Sequence, residues 1–201
     1  MSRKLVLLVL LLLSLAMTYH LGCVCVCEPP ATVSLAVTIH PQETAYWCWA
    51  ASGQMVMDYL GHDVSQCTQV NDMLGRTDCC TSPVPGGCLT GGWPDFARYG
   101  FTFDRTSDAA LSWAEVQEQI STSSYCKKKP FCFTWHWDGG GGHMMVAMGY
   151  TTIDTTNWVE MIDPWPPNVG DQRFITYNAY VSGSHYTHWD DFYNITYTGG
   201  S

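Results

Sequence analysis

Helical periodicity in the first part of this 201-residue chain gives way to strand composition in the second, and this order limits the fold more than any other feature. After Pro41, residues Trp49, Ser52, Val56 and Tyr59 recur at helical spacing, and Gly61 is placed to end that helix. A second short helix is expected over Trp93–Tyr99, closed by Gly100, with a brief strand over Phe101–Asp104. Ser112-Trp-Ala-Glu115 is a capping box that opens a third helix, with Trp113, Val116 and Ile120 facing the core. Strand signals follow at Phe131–Trp137, His143–Tyr150, Trp158–Ile162, Phe174–Val181 and Asp191–Tyr197. In the first of these Phe131, Phe133, Trp135 and Trp137 share a face opposite Cys132 and Thr134. One earlier strand, Ala31–Ile39, alternates Val33, Leu35, Val37 and Ile39 and delivers the chain to Pro41. Helices first and antiparallel strands second is an α+β order, with the first helix packed on the sheet.

Cys48 opens the first of these helices. A thiol in a first helical turn feels the positive end of the macrodipole, which favours thiolate, the form that attacks carbonyls. Such a nucleophile needs a base and a donor for the developing oxyanion. Gln42, six residues upstream, offers an amide donor. The base candidate is His143, which follows four glycines and heads an apolar strand; the glycines allow a sharp turn and leave space beside the imidazole. Twenty residues on, Asp163 ends another strand and can orient the His143 ring. Taken singly, each has an ordinary structural reading: a core cysteine, a satisfied strand-end histidine, a turn aspartate before Pro164, an exposed glutamine. Their order and spacing together favour catalysis. His136, between Trp135 and Trp137, is a rival base but has no carboxylate strand after it.

Gln42, Cys48-Trp49 at a helix start, a glycine-preceded His143 on an apolar strand, and Asp163 with Trp165 two residues on resemble a papain-like cysteine peptidase over roughly residues 40–165. Trp47-Cys48-Trp49-Ala50-Ala51 is most similar to the compact bacterial branch of bacteriocin-processing peptidases and plant-pathogen effector proteases. The resemblance implies a papain-like fold, a helical part carrying the nucleophile against an antiparallel sheet. It implies Cys48 as nucleophile, His143 as general base and acid, Asp163 as orienter, Gln42 as oxyanion donor, and Trp165 as a shield over the His–Asp hydrogen bond. Trp47, Trp49, Gly142 and Trp165 are the candidate substrate contacts. Two departures from papain stand out. Tyr46-Trp47 replaces Gly-Ser before the nucleophile, and the third member is Asp rather than Asn. The reaction implied is endopeptidase hydrolysis of protein or peptide substrates through a thioester. The alternatives are an acyltransferase or amidase using the same residues, or a secreted binding module in which Trp47, Trp49, Trp93, Trp135 and Trp165 form an aromatic surface.

The N-terminus reads as a targeting segment, about residues 1–27, with Arg3 and Lys4 before an apolar run from Leu5 to Met17. That run is shorter than the roughly 20 residues a membrane span requires. Leu21-Gly22-Cys23 hints at lipid anchoring at Cys23, the one route to a membrane; plain secretion, outside the cell or into a periplasm, is the preferred reading. Residues 28–201 are then expected to form one monomeric domain, and the stretch before Gln42 leaves no room for an inhibitory prodomain of the papain type. A net charge of −9, with Lys127-Lys128-Lys129 the one basic run, argues against nucleic acid. Of the ten cysteines, Cys48 and the first three are set aside. The other six, Cys67, Cys79, Cys80, Cys88, Cys126 and Cys132, read as disulfides of an exported chain. Short loops favour Cys67–Cys79, Cys80–Cys88 and Cys126–Cys132. The spacing lacks the C-x2-C of structural zinc, so no metal or cofactor is expected. His185 and His188, near Asp190 and Asp191, read as a solvated loop.

Overall fold

The computed structural model describes residues 25–199; the expected targeting segment and Cys23 lie outside them, apart from Cys25–Cys27. Among these residues the seven strands form one sheet, in which every pairing is antiparallel. The strands are β1 (Thr32–Ser34), β2 (Phe101–Arg105), β3 (Phe131–Trp137), β4 (Gly142–Ile153), β5 (Thr156–Asp163), β6 (Asp171–Thr176) and β7 (Tyr186–Tyr197). Their order is β2-β7-β3-β4-β5-β6, with β1 on the far half of β4. Helices α1 (Cys48–Tyr59), α2 (Gln66–Leu74), α3 (Trp113–Ile120) and α4 (Tyr177–Val181) complete the α+β architecture.

α1 is the central helix. Every residue from Trp49 to Met57 is buried, as expected of a helix surrounded by protein rather than lying on its surface. The helix ends where Gly61 takes a φ of 84°, and Gly61 N–H and His62 N–H cap the carbonyls of Asp58 and Met57. Two buried side chains bolt it in place. Ser52 Oγ donates to Met144 O of β4 at 3.1 Å, and Gln69 Nε2 of α2 donates to Ala50 O at 2.8 Å. Central β3 is buried from Phe131 to Trp135, and its faces divide as the alternation requires. Phe131 and Phe133 pack on Tyr180 of α4, and Trp135 Nε1 donates to Tyr180 O at 3.1 Å. Thr134 points the other way, into the cleft that Cys48 also lines.

Several elements differ from expectation for local reasons. The cysteine-rich stretch is not all loop: Ser65 Oγ accepts from Thr68 N–H and starts α2, which Gly75 ends at a φ of 63°. The apolar run from Phe174 splits, because Thr176 Oγ1 caps Ala179 N–H and turns Tyr177–Val181 into a helix. Only Thr32–Ser34 of the first alternating run pairs as a strand; Val33, Leu35 and Val37 are buried as the alternation requires, whereas Ile39 is exposed. Trp93–Tyr99 shortens to a single 3-10 turn, Phe96–Tyr99, capped by Asp95.

The cysteine pairing is corrected throughout. The bridges are Cys67–Cys80, Cys79–Cys88 and Cys27–Cys126. The first two interleave, clamping the first turn of α2 to the loop that follows the helix; the third ties the N-terminal segment to the loop before β3. Cys132 is a buried thiol, not a disulfide partner, and burial, with the charge of Asp191, pushes its pKa up. His188 is likewise no loop residue. It lies buried on β7, Nε2 3.1 Å from Asp191 Oδ2, and Asp191 also accepts from Tyr180 Oη at 2.7 Å and Leu111 N–H at 2.8 Å. His185 is exposed, as expected.

Candidate active site

The first turn of α1 and the first residues of β4 and β7 converge on a cleft of about 380 Å³. Cys48, Trp49, Gly91, Gly92 and Trp93 line it on one side; Thr134, Gly141, Gly142, His143, Met144 and Trp189 line it on the other. Trp47, at the N-cap, offers no side-chain cap to α1, which leaves its first N–H groups without the usual side-chain acceptor. Cys48 therefore sits at the open positive end of the helix.

The sheet register places the second and third residues. Val146 of β4 opposes Ile162 of β5, so Met145 faces Asp163 and His143, two residues along, lies diagonally across from it on the same side. His143 Nε2 is 2.6 Å from Asp163 Oδ1. That leaves Nδ1 for the Cys48 sulfur, with which the imidazole shares a hydrogen bond. Asp163 is held on both oxygens: Oδ1 also accepts from Trp165 N–H at 3.0 Å, and Oδ2 from Arg173 Nη2 at 3.0 Å.

The electrostatics follow from this row of groups. Burial pushes the Cys48 thiol up, but the hydrogen bond and charge of His143, with backbone N–H groups of Met144 and Trp49, outweigh it and hold the pKa below the ordinary value. Burial works against the imidazolium too; Asp163 and Cys48 overcome it and raise His143 to about 9. Asp163 is lowered, its desolvation outweighed by His143, the Trp165 N–H and Arg173. Cys48 and His143 thus favour thiolate and imidazolium.

Glycines shape both walls. A Cβ on Gly142 would stand 2.6 Å from Trp135 O and 3.0 Å from the Trp189 ring. One on Gly92 would stand 2.9 Å from the Trp49 ring and 2.5 Å from Met73 Sδ. The disulfide-braced loop is tied to both neighbours of Cys48, since Trp47 Nε1 donates to Cys88 O at 2.8 Å and Trp49 Nε1 to Thr90 O at 3.2 Å.

Residues 34–194 of the 201 match the sequence model of the Peptidase_C39 like family. The chain belongs to this family. It is a cysteine peptidase, a hydrolase whose substrates are proteins or peptides. No curated protein sequence matches the chain. Among solved structures, one concerning the limited antibody cross reactivity between the mite allergens Blo t 1 and Der p 1 is 12% identical, covers 84% of this chain and 73% of its own, and has a TM-score of 0.49. Digestive procathepsin L 3 of Tenebrio molitor larval midgut is 14% identical, covers 82% of this chain and 70% of its own, and has a TM-score of 0.46.

In this peptidase the four residues singled out from the sequence fall into two groups. Cys48, His143 and Asp163 form one continuous row. Gln42 is buried nearby but does not line the cleft. Its Nε2 donates to Thr44 O at 2.8 Å, its Oε1 has no partner, and its backbone is stitched to the β5–β6 loop at Pro164 O and Asn168 N. Of the substrate contacts, Gly142 and Trp49 line the cleft. Trp47 does not: it is fully buried and braces the disulfide loop. Trp165 is half exposed outside the cleft and meets Asp163 through its backbone. The aromatic surface of a binding module is not present as such, because Trp47, Trp49 and Trp135 are buried. His136 is exposed and packs 4.8 Å from Trp189, and it is not among the residues that line the cleft. Gly91, Gly92, Trp189 and Arg173 are not singled out by the sequence, and Trp93 is singled out there as part of an aromatic surface rather than as a wall of this cleft. The paired glycines before a tryptophan were a usable signal for Gly91 and Gly92; Trp189 and Arg173 depend on strand register.

Proposed function

We propose that the protein is a secreted endopeptidase that cleaves peptide bonds through a Cys48–His143–Asp163 triad and a thioester intermediate. The observation that carries this reading is the unbroken row from Asp163 Oδ1 through the His143 ring to the sulfur at the positive end of α1. In the first step the Cys48 thiolate attacks the carbonyl carbon, and the developing oxyanion takes a hydrogen bond from Cys48 N–H. The intermediate collapses, the C–N bond breaks, and imidazolium His143 gives its proton to the leaving amine. Neutral His143 then takes a proton from water as that water attacks the thioester. Collapse releases the carboxylic acid and restores the thiolate–imidazolium pair. Asp163 holds the ring in register and offsets its positive charge throughout. Three disulfides, and the absence of a helix long and apolar enough to cross a membrane among the described residues, support export. Cys27 is tied to Cys126, so signal cleavage belongs before Cys27.

The test is treatment of the purified mature protein with an epoxide inhibitor of papain-like enzymes, with the adduct located by mass spectrometry. Cys48 should be labelled rapidly in the wild type and slowly in His143→Ala, and Cys48→Ala should lose nearly all turnover with its fold intact. Retained turnover in Cys48→Ala refutes the assignment.

A further inference from the structure

We propose that Arg173 is a positioning residue for this reaction: its guanidinium fixes the orientation and the negative charge of Asp163, and so sets the acid limit of the reactive thiolate. The inference rests on the reading of Cys48, His143 and Asp163 as the triad. Its basis is the division of labour around one carboxylate. Asp163 Oδ1 takes His143 Nε2 at 2.6 Å and Trp165 N–H at 3.0 Å, while Oδ2 takes Arg173 Nη2 at 3.0 Å. With both oxygens pinned, the carboxylate cannot rotate to offer its other oxygen to the imidazole.

The sheet explains why a cation stands there. Asp163 on β5 pairs directly with Asp171 on β6, a like-charge cross-strand pair that repels on its own. Arg173, two residues along β6 and on the same side, bridges the two, with Nη1 on Asp171 Oδ2 and Nη2 on Asp163 Oδ2. A guanidinium remains charged at any pH at which the enzyme works, so its charge is a constant of the site. The charges alternate along the line: Asp171, Arg173, Asp163, His143, Cys48. These are the titratable groups facing Asp163 from α1, β4 and β6; the Tyr186 phenol of β7 also lies in the field of Arg173. A triad that ends in a full carboxylate carries one more negative charge than one ending in an amide, and Arg173 offsets it.

A purely structural role, neutralising Asp163 against Asp171 to hold the β5–β6 hairpin, predicts a different result from a positioning role. The discriminating measurement is the rate of iodoacetamide alkylation of Cys48 in the mature protein as a function of pH, with folding checked by circular dichroism. Loss of the positive charge in Arg173→Gln makes the neighbouring acids easier to protonate, so the acid limb should move up by about 0.5 pH unit, the size expected of a half-exposed ion pair. Arg173→Lys, which keeps the charge, should return the limb to its wild-type position. Asp171→Asn removes a negative charge and should move it the opposite way. A folded Arg173→Gln whose limb is unmoved overturns the proposal. If that variant does not fold, Asp171→Asn decides, and no shift or an upward shift overturns it. A wild-type Cys48 unreactive below its ordinary pKa overturns the triad itself and the proposal with it, an outcome separable from the others because it appears before any substitution.

Discussion

Raising pH should separate two activities of the same cysteine. In the proposed mechanism peptide cleavage needs His143 as imidazolium to protonate the leaving amine, whereas alkylation by iodoacetamide needs only the thiolate. His143 is raised to about 9 and Cys48 is lowered, so both conditions hold together between the two pKa values. Above that range they part. With a pKa of about 9, the protonated fraction of His143 falls from nearly all at pH 7 to about one part in eleven at pH 10, so kcat/KM should drop roughly tenfold while alkylation stays flat or rises. Towards acid the two should fall together, because both lose the thiolate as pH drops through the depressed pKa of Cys48. In His143→Ala the thiol loses its partner and its pKa returns upward, so alkylation at pH 6 should slow sharply. The assay pairs a fluorogenic peptide with a timed alkylation series on one enzyme preparation. A common decline of both activities above neutrality, or a turnover limb near the ordinary histidine value of about 6.5, would refute the ion-pair reasoning.

Three further outcomes follow from the packing. Ser52→Ala removes the bond from α1 to Met144 O; the variant should lose about 1 kcal/mol in urea unfolding and alkylate Cys48 more slowly, and unchanged values would show that Ser52 is no bolt. Gly142→Ala forces a Cβ against Trp135 O and the Trp189 ring, so it should cost about 1–3 kcal/mol and abolish cleavage, while Gly139→Ala, with open space around it, should change neither. The Cys27–Cys126 bridge spans 99 residues and Cys79–Cys88 spans 9. On loop entropy alone, paired serine substitution should cost about 4–5 kcal/mol for the first and about 2–3 kcal/mol for the second, read from denaturant midpoints, and the reverse order would refute that account.

What could be read from the sequence divides along a physical line. Features fixed by contacts within a few residues were legible: the Ser112–Glu115 capping box, the start of α1 at Cys48, the alternation on β3 and the α+β order all appear in the structure as expected. The row of Cys48, His143 and Asp163 was legible because each of its residues sits at an element end marked by its own local signal: a turn, a glycine run, or a proline. The disulfides were not, because short-loop closure favours sequence neighbours whereas α2 imposes its own geometry. Once Ser65 nucleates that helix, Cys67 lies in its first turn, and the chain returning after Gly75 brings Cys80, not Cys79, to its sulfur. The expected Cys126–Cys132 pair fails for a similar reason: Cys132 is committed to the buried centre of β3, and Cys126 is left to meet Cys27. Arg173 and Trp189 belong to the same class. Neither adjoins Cys48, His143 or Asp163 in sequence, and each reaches the site through a strand register, Asp163 opposite Asp171 for one and Trp135 opposite His188 for the other. Because side chains alternate along a strand, a one-residue slip would turn Arg173 away from Asp163 and Trp189 out of the cleft. The row of Cys48, His143 and Asp163 is thus written in local signals, whereas the groups that surround it are written in pairings between distant strands.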